Sequence, residues 1–282
     1  MVPASAMRHS WAMTQTSTDR PTAILISPAM AVPARVYRRL TEALTGYGLD
    51  VRVVARRGVE EGATPPSHTA DWSYEDEAAD LADAIAGTRA DVPGTRVVVV
   101  GHSLGAQLAA MVAQSSDHTP DGIVAVGASV PAVRHYGLRG LALGAIAVAV
   151  GPVSGAVGHW PRQGFGGPTA RTLMRQWARM VLTGRAPFAL DGSIETPTLA
   201  IRLDDDEIVT DGAASAFDAA FSPESITHWR YDDARCPAGG NTTHIGWVRT
   251  PDVVAQRIAE WWDSQATGAR AATEADAQRR PG

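Results

Sequence analysis

The sequence predicts an α/β protein: a doubly wound, mostly parallel sheet of about six strands, with a helical segment inserted after the fourth. Three observations carry this. Apolar runs and helical patterns alternate from Ala23 to Gly127 as strand, helix, strand, helix, strand, helix, strand, the order expected of parallel strands joined by crossover helices. In the middle, Arg96 to Gly105 reads R-V-V-V-V-G-H-S-L-G, and four consecutive valines suit a strand buried on both faces. The rhythm then breaks between Ser129 and Glu195 and resumes at Thr198.

Taken in order, Ala23 to Ser27 (AILIS) is the first buried strand, and Pro28-Ala29-Met30-Ala31 turns the chain. Pro33 opens a helix through Leu44, with Val36, Leu40 and Leu44 at helical spacing. Asp50 to Ala55 is the second strand, and Arg56 to Trp72 a long polar loop. Ser73 caps a helix through Ala86, with Asp76 at the capping-box distance. The valine strand leads through Gly101-His102-Ser103-Leu104-Gly105 into the strong helix former AQLAAMVA. Strand, sharp turn with a serine at its tip, then helix is the context that makes G-x-S-x-G a nucleophile elbow. Gly101 and Gly105 are required because strand and helix pass too close for a side chain. Asp121 to Gly127 is the fourth strand.

The insertion, about residues 130–195, contains an apolar helix at Leu138 to Val150, a turn-rich stretch, and an amphipathic helix near Thr169 to Thr183. Its length and apolarity suggest a lid over one end of the sheet. Thr198 to Leu203 is the next strand, followed by the acidic run Asp204-Asp205-Asp206-Glu207. Gly212 to Phe221 is a helix and Ser225 to Tyr231 the sixth strand. Thr250 caps a last helix from Pro251 to Trp262. Residues 1–20 and 265–282 are expected to be flexible ends around a domain spanning 21–264.

Composition narrows the function classes. The chain has 282 residues, 45% hydrophobic and 20% charged, so it can bury a large core. Net charge is −5, every basic residue except histidine is arginine, and no basic stripe marks a nucleic-acid surface. The lone Cys236 excludes an intramolecular disulfide and suits a reducing compartment. Met1 to Arg20 lacks the apolar core of a signal peptide. Leu138 to Gly151 is too short and glycine-interrupted to span a bilayer. A cytoplasmic protein without a membrane span is expected. Dinucleotide, P-loop and metal-binding motifs are absent from the sequence, so no metal or organic cofactor is implied.

The residues that suit nucleophilic catalysis sit in strand-end loops. Ser103 is on the elbow. A serine hydroxyl needs a neighbouring imidazole to take its proton, and the imidazole needs a carboxylate to fix its tautomer. His244, just before the last helix and followed by Gly246, is the favoured base. His102 should pack beside the nucleophile without reaching its hydroxyl, and His228 lies on a strand as a structural residue. His159, in the insertion, reads as a surface residue with a substrate contact as the alternative. The carboxylate comes from the acidic run, in which Asp204 and Glu207 read as solvated charges. An oxyanion hole needs two backbone N–H groups, one from Leu104 and one from the turn at Ser27 to Ala31.

The segments PAMAVPARVYRRL, GHSLGAQLA and HIGWVR resemble a serine-aminopeptidase-like group of bacterial hydrolases, and nearly the whole chain resembles the α/β-hydrolase superfamily. The resemblance implies a triad in the order Ser103, acid, His244. Asp206-Glu207-Ile208-Val209-Thr210 is similar to the superfamily's D-x-I-V-P stretch, which points to Asp206, with Asp205 next. Aligning Pro28-Ala29 with the superfamily's His-Gly pair makes Met30 the second oxyanion donor, or Ala29 by a one-residue shift. Thr210 stands where proline is usual, and the antiparallel hairpin that usually opens the sheet has no room here. An apolar edge would then be open to pairing, which leaves a homo-oligomer as one expectation.

The expected activity is hydrolysis of a carboxylic ester or thioester of a small-molecule acyl substrate. Leu141, Leu143, Ile146, Val148 and Trp160 of the lid suggest a hydrophobic acyl or alcohol group. An acyltransferase, a small aminopeptidase, or a non-catalytic binding protein on the same fold are the alternatives.

Overall fold

Six parallel strands form the central sheet of the computed structural model, which describes residues 20–161 and 167–279. They are β1 (Thr22–Ser27), β2 (Asp50–Val53), β3 (Arg96–His102), β4 (Gly122–Val126), β7 (Thr198–Leu203) and β8 (Ile226–Tyr231), in the order β2-β1-β3-β4-β7-β8. A separate antiparallel pair, β5 (His159–Trp160) with β6 (Thr169–Ala170), lies in the insertion, where no strand was expected. Among the described residues no strand precedes β1.

The four-valine run explains the layers. Val97 and Val99 point to one face, where they join Leu81 and Ile85 of α2 (Tyr74–Asp91) and Leu108 of α3 (Leu104–Ser115). Val98 and Val100 point to the other, with Leu40 of α1 (Arg38–Thr45) and Trp261 of the last helix. Period-2 alternation thus feeds two cores from one strand, and all four valines are fully buried or nearly so.

The strand order reverses between β1 and β3, where Ser27 is level with Gly101. In open α/β sheets ligands bind outside the carboxyl ends of the strands at such a switch point. The turn after β1 and the elbow after β3 both open there.

The Ser73 capping box forms as expected, its side chain accepting from Asp76 N–H. The helix it starts runs to Asp91, past the expected end at Ala86. Ala34–Tyr37 is a 3-10 turn leading into α1, and β2 ends at Val53. The last helix, α7 (Asp252–Arg279), begins after Pro251 and continues well beyond Trp262. Alanines recur from Ala266 to Ala277 with no proline among them, and that composition favours helix. The expected flexible tail is therefore helical up to Arg279. Residues 1–19 and 280–282 lie outside the described residues.

The insertion holds α4 (Arg139–Val157) and α5 (Arg171–Thr183), closed by Gly158 and Gly184 in left-handed conformations. Pro152 removes one helical hydrogen bond from α4 without ending it. At 19 residues α4 exceeds the segment expected from sequence, and by length and composition alone it could cross a membrane. In the fold it packs on α5.

Candidate active site

Ser103 occupies the sharp turn with φ 52° and ψ −113°, a conformation strained for a residue with a side chain. Its neighbours leave no alternative. A Cβ at Gly101 would lie 2.5 Å from Ala106 Cα, and one at Gly105 would lie 1.9 Å from the Ser27 carbonyl oxygen. The elbow helix therefore rests directly on the backbone of the turn after β1. Ser103 N–H is bound to Val126 O at 2.9 Å. The Leu104 N–H, at the first position of α3, has no helical acceptor and makes no hydrogen bond among the described residues.

The turn after β1 is clamped peptide by peptide. Arg56 donates to the Pro28 carbonyl and is itself paired with Glu77, both side chains being buried. Trp72 Nε1 donates to the second Glu77 oxygen at 3.0 Å. At the other end of the same peptide, Ala29 N–H donates to the Tyr37 hydroxyl at 2.8 Å. The Ala29 carbonyl accepts from Val32 N–H at 3.2 Å. With Ala29 N–H committed to Tyr37, it is not available as an oxyanion donor. Met30 N–H makes no hydrogen bond among the described residues and is the free donor of this turn. Ala31 follows with φ 55°.

His102 joins the two sides of the site. Its Nε2 lies 2.8 Å from the His244 carbonyl, which can only accept, so Nε2 carries the proton. Nδ1 then accepts from the Tyr37 hydroxyl, also at 2.8 Å. Ala29 N–H, Tyr37 and His102 donate in turn, and the His244 carbonyl accepts at the end of this one directed chain. Complete burial, and next the neighbouring His244, hold the His102 imidazole well below the usual histidine range. It stays neutral, as the chain requires.

His244 is buried, with Nδ1 at 2.8 Å from Asp206 Oδ2. The carboxylate accepts, so Nδ1 donates and the Nε2 lone pair is left for a proton. Asp206 Oδ1 accepts from Ile208 and Val209 N–H at 2.9 and 2.8 Å, which fixes the carboxylate plane. Gly127, with φ 55°, leaves room for the carboxylate and the imidazole, since a Cβ there would sit 3.2 Å from Asp206 Oδ2 and from His244. Asp205 faces away and binds Thr242, tying the acid loop to the base loop. Asp204 pairs with exposed Arg230. Glu207 is exposed, as expected of a solvated charge, and also accepts the His244 N–H at 3.1 Å. Thr210 stands in place of proline as the N-cap of α6 (Asp211–Asp218).

Ser103 and His244 line one cavity of about 620 Å³, although no hydrogen bond joins their side chains. Such bonds are often long in the free state and tighten with substrate. Met30, Val36, Leu143, Ile146, Trp160 and Ile208 give it apolar walls. Leu141 and Val148, expected on this lining, face solvent instead, and His159 is not part of it. Gln107, Ser129 and Tyr136 add polar groups, and among the described residues no Asp or Glu lines it. Burial pushes the Tyr136 hydroxyl up to about 12, with Asp206 adding to the shift, so it is a neutral donor.

The family model for serine aminopeptidases (S33) matches residues 18–154. Solved structures align over most of the chain. One, from work on the metagenome-derived lipolytic enzymes LipS and LipT, is 15% identical with TM-score 0.61, covering 86% of this chain and 94% of its own. A monoacylglycerol lipase from Paleococcus ferrophilus is 15% identical with TM-score 0.59 (85% and 93%). The thioesterase domain from the curacin biosynthetic pathway is 16% identical with TM-score 0.55 (85% and 91%). The chain has the α/β-hydrolase fold. No curated protein matches its sequence.

Within this fold, the residues that sequence reasoning missed are the supports. Tyr37 was legible only as a helix-face aromatic, and Arg56 and Glu77 as loop and helix charges. Nothing local marks them, because their partners lie 21 to 65 positions away. Gly246 is explained by space: a Cβ would meet Asn241 Oδ1 at 1.8 Å.

Proposed function

We propose that this α/β-hydrolase cleaves carboxylic esters or thioesters with a hydrophobic acyl or alcohol group, through an acyl-enzyme on Ser103. The observation that carries this reading is the shared cavity. A nucleophile, a carboxylate-oriented imidazole and two free backbone N–H donors open into one apolar space without carboxylates. His244 Nε2 takes the Ser103 proton as Oγ attacks the carbonyl. Met30 and Leu104 N–H groups hold the tetrahedral oxyanion. His244 then protonates the leaving group, and the same imidazole activates water to release the acid. Asp206 keeps the imidazole in the required tautomer and stabilises its charged form.

The cavity also weighs against the aminopeptidase alternative. A substrate ammonium needs a buried partner of opposite charge, and no Asp or Glu is among the lining residues. Its volume lies within the roughly 300–1,000 Å³ of small-molecule sites, and its walls suit an alkyl chain.

A fluorophosphonate probe tests the chemistry. Labelling should occur on Ser103 and vanish in Ser103→Ala; a folded protein left unlabelled ends the hydrolase reading. A p-nitrophenyl ester series of rising chain length tests the walls. kcat/KM should climb with chain length, and a flat profile would discard the hydrophobic specificity.

A further inference from the structure

The insertion carries a surface that the catalytic reading does not use. On α4 and its lead-in, Leu138, Leu141, Ala145, Val148, Pro152 and Ala156 follow at three- and four-residue steps, and all are exposed. Leu138 is 89% exposed, Leu141 76% and Val148 65%. A helix on a water-soluble domain normally turns its polar stripe outward. Here the outward stripe is apolar, and no charged residue occurs from Gly140 to Val157.

Charge is also segregated. Between Asp121 and Asp191 there is no Asp or Glu, and every residue charged at neutral pH is an arginine. The rest of this net-acidic chain holds all 30 acids. Arg171 is matched by Asp71. Arg134, Arg139, Arg175, Arg179 and Arg185 are exposed, and none has a carboxylate within ion-pair distance among the described residues. The Arg175 guanidinium lies against Gly155, bringing positive charge to the α4 surface itself.

We propose that this face docks the protein on an anionic lipid surface. An uncharged apolar helix flanked by arginines matches a bilayer in both respects: the stripe enters the acyl boundary while the guanidinium groups meet the head-group charge. A second copy of the chain is a poorer occupant, because a two-fold contact would set this all-arginine rim against itself. Leu143 and Ile146 of the same helix line the Ser103 cavity, so docking would bring the cavity wall to the surface in which apolar esters dissolve. The docking does not depend on Ser103 chemistry.

The test is flotation of the full chain, as Ser103→Ala so that turnover cannot change the lipid, with phosphatidylcholine vesicles and with vesicles containing phosphatidylglycerol. Binding to the anionic vesicles should be strong at low salt and fall as the Debye length shortens. Each arginine near the surface contributes about 5-fold, so Arg175→Gln with Arg179→Gln should weaken binding on the order of 20-fold. Leu141→Gln with Val148→Gln, at exposed positions outside the cavity, should also release the protein. In the Ser103 background that pair should leave hydrolysis of a soluble ester unchanged. Equal binding to both vesicle types, or no effect of the arginine pair, overturns the proposal. So does a stable dimer that the Leu141/Val148 variant dissolves, which would give the face to a second copy.

Discussion

Replacing Tyr37 with Phe removes one oxygen from a site that is otherwise unchanged. The ring keeps its edge-on contact with His102, centroids 5.9 Å apart. Two hydrogen bonds of 2.8 Å are lost, and both are buried. Ala29 N–H and His102 Nδ1 are left without partners. An orphaned buried polar group costs about 1–3 kcal/mol, so the two together should cost the variant roughly 2–6 kcal/mol. In a domain of this size 1 kcal/mol is about 2–4 °C in Tm, and a drop of at least roughly 4 °C follows. Catalysis should suffer separately. The Pro28–Ala29 peptide would keep Arg56 on its carbonyl but lose the hold on its N–H, and Met30 N–H, one peptide further, would lose its aim. Deleting a whole oxyanion donor costs about 2.7–4 kcal/mol. A loosened one should cost part of that, about 10- to 100-fold in kcat, with KM within about threefold. Steady-state hydrolysis of p-nitrophenyl butyrate well below the variant's Tm reads both constants. A lowered Tm with unchanged kcat would refute the positioning role and leave the hydroxyl as a structural group only.

Asp206→Asn should lower kcat about 10³–10⁴-fold by favouring the wrong tautomer, while Asp205→Asn, which loses only its Thr242 contact, should stay within about tenfold; equal losses would mean the acid is misplaced. Gly105→Ala should cost several kcal/mol or prevent folding, because its Cβ would sit 1.9 Å from Ser27 O; a soluble variant with wild-type Tm would contradict the close approach. His102 imposes a pH dependence with a definite sign. Its folded value is lowered, so the unfolded chain takes up a proton near pH 6.5 that the folded chain refuses. The stabilisation is complete above about pH 6.5 and declines below it, by up to about 1.4 kcal/mol per pH unit. Urea melts at pH 7, 6 and 5 should show this slope, reduced in His102→Gln, which still offers a donor and an acceptor; identical slopes would reject the assignment.

Legibility followed sequence distance. The valine run, the Ser73–Asp76 cap and the steric role of Gly101 depend on neighbours a few residues apart, and the structure reproduces them; Gly105 was legible only from the motif, since its close neighbour Ser27 lies in a distant segment. Asp206 could be favoured over Asp205 only through resemblance, yet it is the one that reaches His244. What stayed hidden depends on pairing between distant segments. Tyr37 with His102, Arg56 with Glu77 and Glu207 with His244 are ordinary residues until the sheet brings them together. The orientation of α4 was hidden for another reason. Its composition is apolar all round, so no periodicity says which side faces the cavity and which faces water.

The donor chain through His102 also sets an order of events in the making of the protein. His102 reaches a carbonyl 142 positions away, and Asp206 lies beyond the whole insertion. A nascent chain that has folded through α4 already contains the serine, the elbow and the turn after β1. It has no imidazole to deprotonate that serine, and nothing yet occupies His102 Nε2. Closing contacts over such separations is slow and comes late. On the proposed mechanism the half-made molecule is chemically silent, and its serine is armed only when the segment before the last helix settles on the sheet. Recovery of activity on refolding should accordingly trail recovery of helical signal, which makes turnover a report on completion of the chain and not on its collapse.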